Sequence, residues 1–264
     1  MIKQIPNLFT LLNLFFGCLA IVFVLQSGIE PVFRQNDQGY IIPDVNQFGR
    51  QFVSFPPQIW LASLCIAISA VVDFFDGFVA RLLKASSDMG KQLDSLADVV
   101  SFGVAPGIIV YEFLRLSYAQ HEDGLNISFI WLIPAFIIPC AGAYRLARFN
   151  IDTEQAYGFK GVPIPAVGLL IASFPLIFWF SDNAWVTKLL INEWFWYAVI
   201  ITVSYLMVSK MPMMAMKFKT LSFKSLLPFI IIAAITIVTA IIFGWLAVPV
   251  AFFAYVILSL VFKQ

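Results

Sequence analysis

Residues 70–100 read AVVDFFDGFVARLLKASSDMGKQLDSLADVV, and four aspartates in this stretch, Asp73, Asp76, Asp94 and Asp98, stand within or at the ends of apolar helical runs. An ionised aspartate at the centre of a membrane-spanning helix costs about 2.5–3.5 kcal/mol on the insertion scale. Arg81 alone cannot neutralise four of them. Their spacing shows where they point. Asp73, Asp76, Gly77, Ala80 and Arg81 share one helix face through steps of three and four, and Gly90, Asp94 and Asp98 share a face of the next helix through steps of four. The short basic connection around Lys84 and Lys91 makes the two helices antiparallel neighbours. Two carboxylates from each are therefore expected to converge in one cavity.

Converging oxygen ligands without His or Cys favour Mg²⁺ or Mn²⁺. Four carboxylates match a site for two such divalent cations, the arrangement that serves an in-line phosphoryl displacement. Gly77 and Gly90 leave room for a ligand beside the acids, and Arg81, one turn beyond Gly77, suits a contact to phosphate. A competing reading makes the acids interhelical glue or the ion site of a cation-coupled transporter. Transporters commonly show inverted repeats and helices broken at the midplane. Here no convincing internal repeat is found, and the acids cluster in one helical pair near one membrane face.

Composition places this pair in lipid. The chain has 264 residues, 61% of them hydrophobic and 12% charged, with a mean hydropathy of +0.91. Soluble domains are about half apolar and a quarter charged. The chain reads as a single polytopic domain, residues 1–264, all-α, with about eight transmembrane helices. The apolar runs cover approximately 7–26, 57–82, 90–116, 128–148, 163–181, 194–210, 225–243 and 246–262, each near the roughly 20 residues a crossing needs. Little is left for a soluble catalytic domain, so chemistry must come from helix faces and short loops. The first run is read as an uncleaved helix, because no small-residue cleavage site follows it. A net charge of +1 without a dense basic cluster gives no reason to expect a nucleic-acid partner. Cys18, Cys65 and Cys140 are expected to be small buried apolar residues.

Charge sets the expected orientation. With the N-terminus inside, twelve of the sixteen Lys and Arg fall on the inner side, among them Lys3, Arg81, Lys84, Lys91, Arg145, Arg148, Lys160, Lys210, Lys217, Lys219, Lys224 and Lys263. Arg34, Arg50, Arg115 and Lys188 fall outside. Both termini and the acids then face the cytoplasm. Residues 27–56 form an external hairpin and not a domain, and the last two runs, free of acids, read as packing helices. Gly103 and Gly107 make a GxxxG expected to pack helices near Pro106. Ser101 is either cavity-facing or a packing serine, and His121 belongs to a solvated turn.

Written out, the motif is D-x-x-D-G-x-x-A-R-x8-G-x-x-x-D-x-x-x-D from Asp73 to Asp98. It resembles the signature of the CDP-alcohol phosphatidyltransferases at every fixed position. The resemblance implies a membrane enzyme with a six-helix core that displaces CMP from a CDP-linked lipid with the hydroxyl of a small alcohol. By the same resemblance Asp73, Asp76, Asp94 and Asp98 hold the metal, Asp98 is also the general base, and Gly77, Ala80, Arg81 and Gly90 line the CDP site. Pro6-Asn7-Leu8-Phe9-Thr10, followed by Asn13, is similar to the family's P-N-x-x-T start and adds Asn7 and Thr10 to that site.

Ser101–Pro106, Arg145–Asn150 and Gly161–Ala166 resemble the branch whose acceptor is serine. The resemblance covers roughly 5–180, with 181–264 as additional helices. The implied substrates are CDP-diacylglycerol and L-serine, in a bacterial cell (inner) membrane, with a homodimer compatible with the reading. Serine's carboxylate needs a cation, and Arg145, Arg148 and Lys160 are the candidates, Arg145 lying deepest. Glycerol 3-phosphate or inositol phosphate as acceptor would call for a denser basic pocket than these three provide.

Overall fold

The computed structural model describes residues 4–26, 30–31, 33–35, 41–43, 53–54, 58–83, 85, 87–121, 126–151, 159–214 and 223–262. Lys3, Arg50, Lys84, Lys217, Lys219, Lys263, both chain ends and most of the 27–56 hairpin lie outside the described residues.

All eight apolar runs fall on helices. α1 (Ile5–Leu25) carries Pro6 in its first turn, where a missing N–H leaves no helical bond unmade. Within 27–56 the described residues form two antiparallel ladders, one nested inside the other. β1 (Glu30–Pro31) pairs with β4 (Val53–Ser54), and β2 (Phe33–Gln35) with β3 (Ile41–Pro43). α2 (Ile59–Leu82) follows. α3 (Asp88–Val99) is capped by Ser87, whose Oγ accepts the Gly90 N–H at 3.0 Å. It passes through a π-helical turn (Val100–Val104) into α4 (Ala105–Ala119), a single span of 32 residues. Pro106 has no N–H to continue the helical ladder, and the π turn sits where that ladder must give way.

Two 3₁₀ turns lead into α5 (Ile137–Ile151), and α6 (Ile164–Phe180) follows. α7 (Ala184–Leu190) meets α8 (Glu193–Val208) at a bend of 69°. α9 (Phe223–Phe243) and α10 (Ala247–Val261) are joined by a 3₁₀ turn at Gly244, whose φ of +59° breaks the helix, and the two helices pack on one another. Among the described residues five stretches are long and apolar enough to cross a membrane, or six with α7–α8 taken as one bent span. The difference from eight has two sources. α6 has only 17 residues, and α9–α10 run on as one apolar stretch of 36 residues. Straight, that stretch would reach about 54 Å, well beyond a hydrocarbon core of about 30 Å. This is an all-α integral membrane fold.

α1 packs most extensively on α2 and also meets α3 and the π turn, while α6 backs α2 and α8 backs α5. The GxxxG pair does pack helices: added Cβ atoms would stand 3.3 Å from Pro139 Cα at Gly103 and 3.1 Å from Pro139 Cδ at Gly107. The second half of the chain belongs to the same core. Phe113 of α4 stacks on Trp196 of α8 with centroids 4.7 Å apart, Phe174 of α6 meets the indole edge-on at 5.2 Å, and its Nε1–H reaches the Leu190 carbonyl at 2.8 Å. The cysteines correct one expectation. Cys65 is buried, but Cys18 and Cys140 lie on the outside of the bundle, and all three are free thiols. An outward face in a bilayer meets hydrocarbon, where a thiol behaves as a small apolar group and loses nothing by exposure.

Candidate active site

The C-terminal half of α2 and the body of α3 bring the acids together as their spacing requires. One carboxylate oxygen from each of Asp73, Asp76 and Asp94 lies within 4.8 Å of the other two. Ligands on opposite sides of an octahedral Mg²⁺ stand about 4.2 Å apart, twice the metal–oxygen distance. The three oxygens therefore fit a hard divalent cation after a small closure, and the all-oxygen donor set suits it. Asp98 sits next to Asp73 and Asp94, one turn further along α3, and is 7% exposed.

α1 fixes two of the four acids. Thr10 Oγ1 donates to Asp76 Oδ2 at 2.7 Å, and Asn13 Nδ2 donates to Asp98 Oδ1 at 3.3 Å. Both residues are buried and lie three apart on the face that also carries Pro6, Gly17, Ala20 and Val24. The main chain at Asn13 is itself clamped. Its carbonyl accepts the hydroxyl of Ser69 from α2 at 3.0 Å and that of Ser101 from the π turn at 3.1 Å. Ser101 is thus a packing serine that ties the π turn to α1. Gly17 permits this approach, since a Cβ there would overlap the Ser101 side chain.

Beside the acids opens a cavity of about 530 Å³. Asp76 and Asp94 line it together with all six residues expected at a CDP site: Asn7, Thr10, Gly77, Ala80, Arg81 and Gly90. Gly77 and Gly90 serve in different ways. A Cβ on Gly77 would meet nothing within 4 Å and would project into open space, whereas one on Gly90 would stand 3.1 Å from Asn7 Oδ1 and 3.2 Å from Ser87 Oγ. Gly77 leaves volume for a ligand, and Gly90 lets α1 close on α3. Arg81 and Lys91 add positive charge to the lining. Lys91 Nζ also reaches the Asn150 carbonyl at 3.2 Å, and Asn150 Nδ2 reaches Ser95 Oγ at 2.9 Å, so the end of α5 is tied to α3.

Of the three basic candidates, the structure brings Arg145 to the acids. It is 6% exposed and within electrostatic reach of Asp98, and its Nε has no partner. Arg148 has another task. Its guanidinium donates to the carbonyls of Val208 at 2.8 Å and Ser209 at 3.1 Å, satisfying groups the end of α8 leaves open. Lys160 lies on a short ladder, β5 (Phe159–Lys160) with β6 (Pro212–Met213), at the same end of the bundle. His121 lies in an exposed turn, with its Nε2 3.4 Å from Glu193 Oε1.

In the sequence Asn13 stands out only as the residue that follows the P-N-x-x-T start, and the structure adds its bond to Asp98. Tyr255 of α10, within electrostatic reach of Arg145 and donating to the Met214 carbonyl at 3.2 Å, leaves no signal in an apolar run.

The motif, the cavity and the converging acids agree with a family match over residues 3–203, described as CDP-alcohol phosphatidyltransferase. The chain belongs to that family. It is similar to a CDP-diacylglycerol–serine O-phosphatidyltransferase of Helicobacter pylori, 34% identical over 168 residues, covering 63% of this chain and 54% of the relative. The Bacillus subtilis protein of the same name is 43% identical over 115 residues, covering 43% of this chain and 60% of the relative. An archaetidylserine synthase of Methanothermobacter thermautotrophicus is 37% identical over 123 residues, covering 46% and 48%. The chain spans about half the length of these curated relatives. The family match runs from α1 into α8 and stops short of α9 and α10.

Proposed function

We propose that the protein transfers a phosphatidyl group from CDP-diacylglycerol to L-serine, giving phosphatidylserine and CMP. The observation that carries the reading is the convergence of the motif's acids beside a cavity lined by Asn7, Thr10, Gly77, Ala80, Arg81 and Gly90. Family membership and the names of the relatives support the same chemistry. Serine as acceptor is supported by Arg145, a buried guanidinium within electrostatic reach of Asp98 and with an unpartnered nitrogen.

Asp73, Asp76, Asp94 and Asp98 would hold two divalent cations, Mg²⁺ or Mn²⁺. When bound, these would neutralise the diphosphate and stabilise the negative charge of departing CMP. The chain's own residues do the rest. Arg81 and Lys91 attract the diphosphate to the cavity, and Asn7 and the open space at Gly77 receive the nucleotide. Arg145 holds the serine carboxylate through the planar fork that lysine lacks. Asp98 accepts the proton of the serine hydroxyl, because a free alkoxide is inaccessible at neutral pH. The hydroxyl oxygen bonds to the lipid-side phosphorus as the bond from that phosphorus to the oxygen leaving with CMP breaks, and the proton passes to water. The acyl chains stay in the bilayer throughout, which suits a site near the cytoplasmic face of a bacterial inner membrane.

The test supplies reconstituted protein with CDP-diacylglycerol and a panel of labelled alcohols, with and without chelator. The expected result is chelator-sensitive CMP release with L-serine. Release with glycerol 3-phosphate or inositol phosphate in its place would overturn the choice of acceptor.

A further inference from the structure

Asn13 is completely buried behind the acids, against Asp98, and its side chain is only half used. Its Nδ2 donates to Asp98 Oδ1 at 3.3 Å, while its Oδ1 is buried without a partner. In the structure the NH₂ group faces Asp98, which accepts its hydrogen bond, and the amide oxygen turns away. The residue has no freedom to carry that oxygen elsewhere. Its carbonyl is held by Ser69 and Ser101, and Gly17 seats the next turn of α1 against Ser101.

A buried amide oxygen left without a donor is costly and rare, and it marks a place where a donor is expected. Arg145, within electrostatic reach of Asp98, carries the complementary feature, a buried donor nitrogen without an acceptor. Among the described residues two other buried side-chain atoms lack partners, the hydroxyls of Ser63 and Ser204, and neither belongs to a residue of the site. Around the proposed base there is thus one open acceptor and one open cationic donor.

We propose that Asn13 Oδ1 receives the ammonium group of the acceptor amino acid, so that Asn13 and Arg145 together hold a zwitterion with its hydroxyl turned to Asp98. The inference rests on the reading of serine as acceptor and adds to it the residue that recognises the amine. A phosphorylated polyol brings no cation to this oxygen, so Asn13 also discriminates against acceptors of that class. One amide serves two ends: its nitrogen orients the base, and its oxygen orients the substrate that the base deprotonates.

The experiment follows phosphatidylserine formation from labelled serine by the full chain in CDP-diacylglycerol vesicles. Two competing ligands each lack one charge: 3-hydroxypropanoate has no ammonium, and ethanolamine has no carboxylate. In Asn13→Ala the KM for serine and the inhibition constant of ethanolamine should rise about ten-fold, as expected for losing a hydrogen bond to a charged group. The inhibition constant of 3-hydroxypropanoate should stay unchanged. A fall in kcat accompanies this with every acceptor, because the bond to Asp98 is also lost. Equal weakening of both competitors would overturn the proposal and leave Asn13 as a support for Asp98 alone.

Asn13→Asp keeps the shape and the oxygen, and remains decisive if the alanine variant does not fold. Ethanolamine should bind at least as tightly as to the wild type, and 3-hydroxypropanoate more weakly. Weaker ethanolamine binding there would likewise refute the assignment. Wild-type protein that makes no phosphatidylserine would refute the acceptor reading itself, before any variant is compared.

Discussion

Replacing Thr10 by valine removes one hydroxyl and nothing else of consequence, which makes it a clean probe of how α1 supports the acids. Thr10 is 3% exposed, and its Oγ1 stands 2.7 Å from Asp76 Oδ2. Its other contact, 3.2 Å to the Pro6 carbonyl, is the common back-bond of a helical threonine. Valine matches threonine in shape, so packing against α2 survives. A hydrogen bond to a charged group contributes about 1.5–3 kcal/mol, and at about 1.4 kcal/mol per decade the loss corresponds to roughly 10–100-fold. Outer partners of metal ligands typically matter on the same scale, about 10–100-fold in metal affinity. The assay is CMP release by reconstituted protein titrated with Mn²⁺. In Thr10→Val the half-activating concentration should rise 10–100-fold, with most of kcat recovered at saturating metal, and Thr10→Ser should stay near the wild type. A folded valine variant with unchanged metal dependence would refute the reasoning. If the KM for CDP-diacylglycerol rose while metal dependence stayed unchanged, Thr10 would be a nucleotide contact and not a support for Asp76.

Asp94→Asn and Asp98→Asn should each abolish CMP release while the protein still inserts and elutes as a folded species; normal turnover at saturating Mg²⁺ or Mn²⁺ by either variant removes that residue from its role. Gly77→Ala should raise the KM for CDP-diacylglycerol several-fold, because the methyl group enters the cavity. Its melting temperature should hold or increase, since the new Cβ meets no protein atom within 4 Å and alanine is favoured over glycine in a helix by about 1 kcal/mol. A drop in melting temperature instead would show that Gly77 is needed for packing. Arg145→Lys should raise the KM for serine strongly and leave that for CDP-diacylglycerol nearly unchanged, and equal damage to both would mark a diphosphate contact.

The helical pair that carries the acids was legible because two periodicities agreed. Apolar runs of membrane length gave the helices, and steps of three and four placed Asp73 and Asp76 on one of them and Asp94 and Asp98 on the other. Helix ends and breaks were less legible, because they depend on local backbone chemistry that hydropathy does not register. The π turn at Val100–Val104 lies in the middle of a continuous apolar run, where only Pro106 hints that the ladder must change. The bend of 69° between α7 and α8 occurs at Ile191–Asn192, where Asn192 caps the new helix by accepting from the N–H groups of Trp194 and Phe195. Arg148 shows the limit from the other side. Charge near the inner face suggested a substrate ligand, but the carbonyls that claim it come from α8, some sixty residues away in sequence. No local pattern announces that partner.

α1 shows why the site was more legible than its supports. Carboxylates in lipid are expensive, so their positions stand out against an apolar background and can be read directly. The groups that orient them are cheap. Thr10 and Asn13 are neutral, and Ser69 and Ser101 bury small hydroxyls that helices accommodate readily, so none is conspicuous by composition. Yet Thr10 fixes Asp76, and Asn13 fixes Asp98 while being fixed by both serines. The result is a chain of hydrogen bonds running from α1 to α2 and from α1 to the π turn, with the acids on its ends. Such a chain explains how the two most buried acids are held: Asp76 and Asp98 each have a neutral donor already in place. It also sets the order of sensitivity among variants. Removing an acid removes the site, whereas removing Thr10 or Asn13 leaves the acids present but loosened, and the loss should appear in metal or acceptor affinity before it appears in folding.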